Sequence, residues 1–186
     1  MSRMNNDGYN AYQLKAFASS DTLVTLYMDP ENPDDYIDCF VSAVNGRQAL
    51  VDVVSQFGRY DGHMVLRLPD INMVLGEDGY SVRLKHVLKL RGQPRPLPIP
   101  CAADEDLVHA LCRAAMERGR VITLFTADDE RAGFVERLDD MRVTLRELDF
   151  YGQPAGEATL VLRDVEMATM DAEEDLMLML MSASEL

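Results

Sequence analysis

GFVERLDDMRVTLRELDFYGQPAGEATLVLRDVEM, residues 133–167, is similar to an earlier stretch of the same chain, CFVSAVNGRQALVDVVSQFGRYDGHMVLRLPDINM, residues 39–73. The two stretches align without a gap at a spacing of 94 residues. Their identical pairs are Phe40/Phe134, Val41/Val135, Gly58/Gly152, Gly62/Gly156, Leu66/Leu160, Leu68/Leu162, Asp70/Asp164 and Met73/Met167. A chain of 186 residues with such a repeat is predicted to form two related units of about 90 residues each.

Each repeated block follows a predicted helix and a predicted strand. In the second unit, DEDLVHALCRAAMERG (residues 104–119) has acids at its start, apolar residues at helical spacing and Gly119 at its end. In the first unit, YNAYQLKAFASS (residues 9–20) gives a weaker helical pattern. Runs typical of β-strands follow at residues 22–28 and 120–126.

The repeated blocks show the alternation of strands, with paired glycines at predicted hairpin turns. Together with the strand before each block, every unit has a short helix followed by five short strands. This order predicts a mainly β protein made of two tandem SH3-like barrels, each preceded by a short N-terminal helix.

The proline-rich stretch RGQPRPLPIP, residues 91–100, is the predicted domain boundary because its four prolines exclude a helix. We expect a first unit at residues 1–90, a linker at 91–100, a second unit at 101–170 and an acidic Met/Leu-rich tail at 171–186. Two segments are expected to have no counterpart in the other unit: the basic YSVRLKHVLKL (residues 80–90) and that tail.

Charge is distributed unevenly between the two halves of the chain. The net charge is −14, of which residues 1–100 carry −2 and residues 101–186 carry −12. An acidic surface repels phosphate backbones, so any contact with nucleic acid must use a local basic patch. No apolar run reaches the length of a membrane span, and the first ten residues lack the apolar region of a signal peptide. Three cysteines without CxxC spacing predict a reducing, cytoplasmic location.

Residues with catalytic chemistry form no motif. The adjacent acids Asp128–Asp129 and Asp139–Asp140 are typical of solvated turns, and the three histidines lack HxxH or HExxH spacing. Cys112 lies on the apolar side of its predicted helix and is expected in the core. No nucleophile elbow, phosphate-binding loop or dinucleotide motif is present. The sequence therefore predicts a protein without enzymatic activity, metal or cofactor.

The second unit resembles the Sm-like family, in particular its bacterial Hfq branch. The resemblance is carried by LVHALCRAAMERGRVITLF (residues 107–125), GFVERLDDMRVTL (residues 133–145) and LVLRDVEM (residues 160–167). Gly133 and Asp139 stand at the family's glycine and aspartate. The first unit shares this resemblance because it matches the second unit in the internal repeat. The chain therefore resembles a tandem of two divergent Sm-like units. The resemblance implies a ring-forming, RNA-binding protein without enzymatic activity.

Most of the family's RNA-contacting residues are replaced. At those positions the second unit holds Asp104, Asp140, Met141, Val161 and Leu162. The first unit holds Gly46, Arg47, Arg67 and Leu68. Arg47 and Arg67, with Arg59 nearby, are therefore the candidate phosphate contacts that the resemblance leaves.

The main basic cluster lies between residues 83 and 95 and includes Arg83, Lys85 and Lys89. It alternates with apolar residues, and three interpretations stay open: an edge strand whose charges block aggregation, a strip that contacts phosphates, or a docking surface for an acidic partner. That partner could be the chain's own tail, which we expect to lie against the cluster within one chain or between neighbours.

Two functions therefore compete. The first is a non-enzymatic Sm-like protein that binds RNA through Arg47, Arg59, Arg67, Arg83, Lys85 and Lys89. The second is a protein-interaction or assembly module that has kept the barrels and lost RNA binding. The expected partners are RNA, further copies of the chain joined through strand edges into an oligomer or ring, and a protein that contacts the Met/Leu-rich tail. No membrane partner is expected.

Overall fold

The computed structural model describes residues 6–184, with side chains described from residue 9. The chain divides into two compact units. The first comprises residues 1–61 and 66–98, and the second comprises residues 62–65 and 99–186. No helix within the described residues is both long and apolar enough to cross a membrane.

The first unit has a helix, five strands and a second helix. Its elements are α1 (Asn6–Ala18), β1 (Leu23–Tyr27), β2 (Tyr36–Val44), β3 (Gln48–Val54), β4 (Tyr60–Arg67), β5 (Met73–Leu75) and α2 (Gly79–Arg91), with a short 3-10 turn at Leu68–Asp70. The strands are hydrogen-bonded in the order β5-β1-β2-β3-β4. The pairs of β1 with β2 and β5, and of β2 with β3, are antiparallel.

The second unit has the same sequence of elements. They are α3 (Leu107–Arg118), β6 (Val121–Phe125), β7 (Glu130–Leu138), β8 (Arg142–Leu148), β9 (Pro154–Val161), β10 (Met167–Met170) and α4 (Glu173–Ser182), with a 3-10 turn at Leu162–Asp164. The order is β10-β6-β7-β8-β9, with antiparallel pairs. The protein is thus mainly β, with a helix before five strands in each unit as the sequence predicts. The strand order is open in both units, so the two closed barrels are not confirmed.

The internal repeat extends further than the sequence alignment indicates. β2 begins at Tyr36 and β7 at Glu130, 94 residues later, and α2 and α4 begin at Gly79 and Glu173 with the same spacing. Both β2 and β7 carry a bulge at the matching place. The expectation that residues 80–90 and the tail have no counterparts is therefore wrong, because they form equivalent helices with dissimilar sequences.

The paired turn glycines allow each final helix to approach a strand turn. Gly58 and Gly152 have φ angles of 65° and 74°, in the left-handed region that favours glycine. A Cβ at Gly58 would lie 2.7 Å from Val87 Cγ1 on α2, and one at Gly152 would lie 2.7 Å from Met181 Cβ on α4. The glycines shared by the two repeats thus position α2 and α4 in the same way.

The predicted helix of the second unit is confirmed. α3 begins after Asp106, whose side chain accepts a hydrogen bond from the His109 N–H, and ends at Gly119, which has a left-handed φ of 59°. Cys112 is fully buried in it, and burial raises the pKa of its thiol to about 12. The prediction that Cys112 belongs to the core is confirmed.

Each unit buries one carboxyl group against a threonine of its first strand. In the first unit, the Thr25 hydroxyl donates to Asp38 Oδ1 on β2 at 2.6 Å, and burial raises the pKa of Asp38. In the second unit, Ala132 stands across the strand pair from Thr123. There the carboxyl group comes from Asp175 on α4, which accepts the Thr123 hydroxyl at 2.5 Å.

Candidate binding surface on the first unit

Most of the basic cluster of the first unit lies on a helix, α2, with Arg95 beyond its end. The cluster does not lie on the edge strand that was one interpretation of its alternation. The Asp78 side chain accepts hydrogen bonds from the N–H groups of Tyr80 and Ser81, and the Ser81 hydroxyl accepts one from Asp78 N at 2.7 Å. This capping box fixes the start of the helix. Ser81, Leu84 and Leu88 then fall on one buried face, because their spacing also suits a helix.

Packing of that buried face orients the rest of α2 toward solvent. Leu84 and Leu88 join a core cluster with Leu23, Phe40 and Val54. Residues on the opposite side of the helix are therefore exposed. We call this surface the α2 face, and it consists of Val82, Arg83, His86, Lys89 and Leu90.

The Lys85 side chain is held by contacts within the unit and is largely shielded from solvent. Its ammonium group lies 3.1 Å from an Asp21 carboxylate oxygen, donates to the Asp21 carbonyl and is 3.9 Å from Glu77. The side chain is only 18% exposed. A phosphate would have to displace Asp21 to reach Lys85, so the structure gives this predicted contact residue a structural partner.

Two other cations of the cluster are also engaged. Arg91 Nε donates to the Phe57 carbonyl at 2.8 Å, which ties the end of α2 to the β3–β4 turn. Arg95 Nε donates to Asp52 Oδ2 at 2.7 Å, and its guanidinium lies 4.9 Å from the centre of the Phe40 ring. The Asp52 side chain is 4% exposed, so Arg95 neutralises a buried acid.

Arg83 and Lys89 differ from these cations because neither forms an ion pair within residues 9–184. Both are exposed and stand among exposed apolar side chains. Val82 is 51% exposed and Leu90 is 74% exposed. Phe57, 66% exposed, lies on the turn to which Arg91 is bonded. Arg59, on the same turn, is exposed as well. The α2 face therefore combines available positive charge with uncovered apolar surface.

Arg47 and Arg67 form a separate group at the other end of β3. The Leu68 N–H donates to the Arg47 carbonyl at 2.8 Å, which brings the two arginines into neighbouring loops. Arg67 is held by Asp70 through hydrogen bonds of 2.7 and 3.2 Å. Arg47 precedes β3 and Arg59 follows it, so the two ends are about 20 Å apart at the usual rise of a strand. The six predicted contact residues thus lie in two places.

A cleft of about 240 Å³ opens beside the α2 face. Its apolar floor includes Phe40 and Leu88, and Lys85 and Lys89 line it. Gln93 closes one side, where its amide accepts from Tyr60 N at 2.9 Å and donates to Tyr60 O at 3.3 Å. Burial raises the pKa of the Tyr60 hydroxyl, so this group stays a neutral donor at physiological pH.

The equivalent surface of the second unit is apolar and acidic. On α4, Met177 is 53% exposed and Leu180 is 62% exposed, while Glu173 and Glu174 are exposed at the start of the helix. We call these four residues the α4 face. α4 packs on β6 of its own unit, where Asp175 bonds Thr123. The tail therefore forms an ordered helix with its own packing site on the second unit.

An exposed aromatic pair extends the α4 face. Phe150 and Tyr151, on the β8–β9 turn, are 83% and 71% exposed, and their rings meet edge to face at 5.6 Å. Gly152 of the same turn packs on the end of α4. Sequence composition alone could not show that these aromatic residues are exposed. In contrast, the Asp78-x-x-Ser81 cap and the helical periodicity after it were signals that could have predicted α2 as a helix.

Two of the acids singled out in the sequence, Asp129 and Asp139, have structural roles. Asp139 accepts hydrogen bonds from the N–H groups of Met141 and Arg142, which hold its pKa below the usual range. Asp129 pairs with Arg131. Across the described part of the chain, no group of three or more His, Cys, Asp or Glu side chains is arranged to hold a metal ion.

Comparisons with protein-family models, with curated proteins and with solved structures find no match for this chain.

Proposed function

We propose that the protein is a non-enzymatic binding protein of two Sm-like units, and that it contacts another protein through the α2 face. The proposal rests on the composition of that face, in which Arg83 and Lys89 have no ion pair among the described residues and alternate with exposed Val82 and Leu90. Exposed apolar side chains beside charged ones are typical of protein contact surfaces. The cytoplasmic location remains part of the proposal.

Curvature of each five-stranded series into a small SH3-like barrel belongs to the same proposal. β2 and β7 are the long second strands of their units, and each has a bulge at the matching place. Bulges bend a strand and increase its twist, which a small barrel requires. The repeated bulge therefore supports two similarly curved units.

Further copies of the chain are proposed partners through strand edges. β5 ends the strand order in the first unit, β9 ends it in the second, and most residues of both are exposed. Unpaired backbone groups on such edges favour pairing with another strand. Sm-like proteins, which this chain resembles, form rings from neighbouring subunits, and that assembly remains a proposal for this chain.

RNA association through the first unit is the second candidate function. The observation that favours it is the adjacency of Arg47 and Arg67, which occupy RNA-contacting positions of the family that the sequence resembles. Lys85 is less suited to this role than Arg83 and Lys89, since Asp21 already neutralises it. RNA binding would then depend on Arg47 and Arg67 together with Arg83 and Lys89. Each lost phosphate contact would reduce the slope of log affinity against log salt concentration by about one unit.

Site-specific photocrosslinking tests both candidates in one experiment. A diazirine side chain at position 90, in place of Leu90, should give discrete adducts in cells that contain a second polypeptide and that nuclease leaves intact. The matched control is the same probe at Tyr12, which is 76% exposed on α1 and should give far fewer adducts. Adducts sensitive to nuclease would favour RNA, and equal yields from the two positions would contradict the role of the α2 face.

A further inference from the structure

The two final helices carry opposite charges on equivalent positions of the two units. α2 contains Arg83, Lys85, Lys89 and Arg91 and no acid, whereas α4 contains Glu173, Glu174 and Asp175 and no base. Both helices start at the same position of the repeat and pack on their units through the same turn glycine. The solvent-facing sides of the two helices therefore correspond, with reversed charge.

Apolar side chains accompany the charges on both sides. Leu90 and Val82 are exposed on the α2 face, and Met177 and Leu180 on the α4 face. The flanking turns add exposed aromatic rings, Phe57 in the first unit and the Phe150–Tyr151 pair in the second. The two surfaces thus carry complementary charges. On both of them, apolar side chains are exposed to water in a single chain.

We propose that the α2 face of one copy binds the α4 face of a second copy. Arg83 and Lys89 would lie opposite Glu173 and Glu174, while Leu90 packs against Met177 and Leu180. This inference rests on the proposed function, because it names the protein that the α2 face contacts. Burial of Leu90 and Met177 would supply most of the affinity. The charged residues of the two faces would select the partner and its orientation. Flexible methionine side chains adapt well to such a surface.

The contact joins two different surfaces, so it is heterologous. One pairing leaves a free α2 face on one copy and a free α4 face on the other, and association continues unless the arrangement closes. Opposite charges on exposed helices are screened by salt, so association weakens as ionic strength rises.

Charge exchange between two variants tests this pairing by sedimentation velocity. The double variant Arg83→Glu/Lys89→Glu has two acidic faces, and Glu173→Lys/Glu174→Lys has two basic faces. Each variant alone should self-associate more than tenfold more weakly than the wild type. An equimolar mixture should associate again, since the native α2 face of the second variant matches the native α4 face of the first, and the two reversed faces match each other.

Lysines at the start of α4 also oppose the helix dipole, so folding is checked separately. Met177→Ser/Leu180→Ser leaves those acids in place, changes only exposed side chains, and should weaken self-association by a similar factor with an unchanged thermal midpoint. Circular dichroism of all variants supplies that midpoint. Restored association in the mixture and loss in the Met177/Leu180 variant support the pairing.

Three results would overturn the proposed pairing of the α2 and α4 faces. A wild-type protein that stays monomeric at all concentrations excludes self-association. Association that every variant retains would point to strand edges instead. A mixture that stays dissociated although both variants are folded would show that these charges do not face each other. If Leu90 still crosslinks to other proteins in any of these cases, the proposed function stands and only this inference fails.

Discussion

Gly133→Ala should lower the free energy of unfolding of the second unit by about 3 kcal/mol or more, since overpacking that the backbone cannot relieve lies at the upper end of such changes. A Cβ at Gly133 on β7 would lie 2.3 Å from the Arg146 carbonyl oxygen and 3.0 Å from Glu147 Cα. These atoms belong to the main chain of β8, so no side-chain rotation can remove the overlap. Chemical denaturation at 25 °C measures the change.

Gly46→Ala is the matched control for that substitution. A Cβ at Gly46 would have no atom within 4 Å, so we expect a change within about 0.5 kcal/mol. The first unit holds Cys39, fully buried, at the position equivalent to Gly133. The close approach is therefore a property of the second unit. Equal denaturation midpoints for the two variants would show that β7 and β8 are not spaced as described.

Asp175 should make the second unit more stable in acid. The pKa of Asp175 is raised to about 6, mainly by burial and in small part by the charge of Asp171, against the opposing effect of hydrogen bonds from Thr123, Ala172 N and Thr169. The folded state then binds a proton that the unfolded state releases at about pH 4. The contribution of Asp175 to the free energy of unfolding is fully present below about pH 4. It falls by about 3 kcal/mol as the pH rises to about 6 and is constant above that pH.

Asp175→Asn should remove most of this pH dependence. An amide can still accept from Ala172 N and bond the Thr123 hydroxyl, as the protonated acid does, and it carries no charge. We therefore expect it to raise the stability at pH 7 by about 2 kcal/mol, since a buried charge is replaced by a neutral group. Glu174→Gln, an exposed neighbour on the same helix, should change stability by only a few tenths of a kcal/mol. An equal pH dependence of stability in the wild type and in Asp175→Asn between pH 4 and pH 6 would contradict the burial of this acid.

The sequence was sufficient to predict the first helix and the five strands of each unit, because the repeat supplies each signal twice, but it did not predict the final helices. Gly58 and Gly152 mark the same turn, and the Asp106 and Gly119 caps delimit α3. α2 was harder to predict, because Leu84 and Leu88 suit a strand face and a helix face alike. Only the Asp78 cap separates the two, and it lies outside the segment that the charge pattern singled out.

The candidate surface was predictable in part. The density of basic residues identified the segment that forms α2. Sequence spacing could not show that Lys85 is bound by Asp21 and Arg95 by Asp52, since those acids are distant in the chain. The exposure of Leu90 was also hidden, because an apolar residue beside a predicted core face is normally assigned to the core. Pairing over long separations depends on the fold, and no local pattern records it.

Hydroxyl-radical footprinting at two protein concentrations tests most directly whether the α2 and α4 faces are contact surfaces. We expect Leu90 and Met177 to be oxidised more slowly in concentrated protein than in dilute protein. Met141, which is 64% exposed on the β7–β8 loop at the opposite end of β8 from the β8–β9 turn, serves as the reference and should be oxidised at the same rate in both. Rates at Leu90 and Met177 that follow Met141 at every concentration would contradict the claim that these faces bind each other.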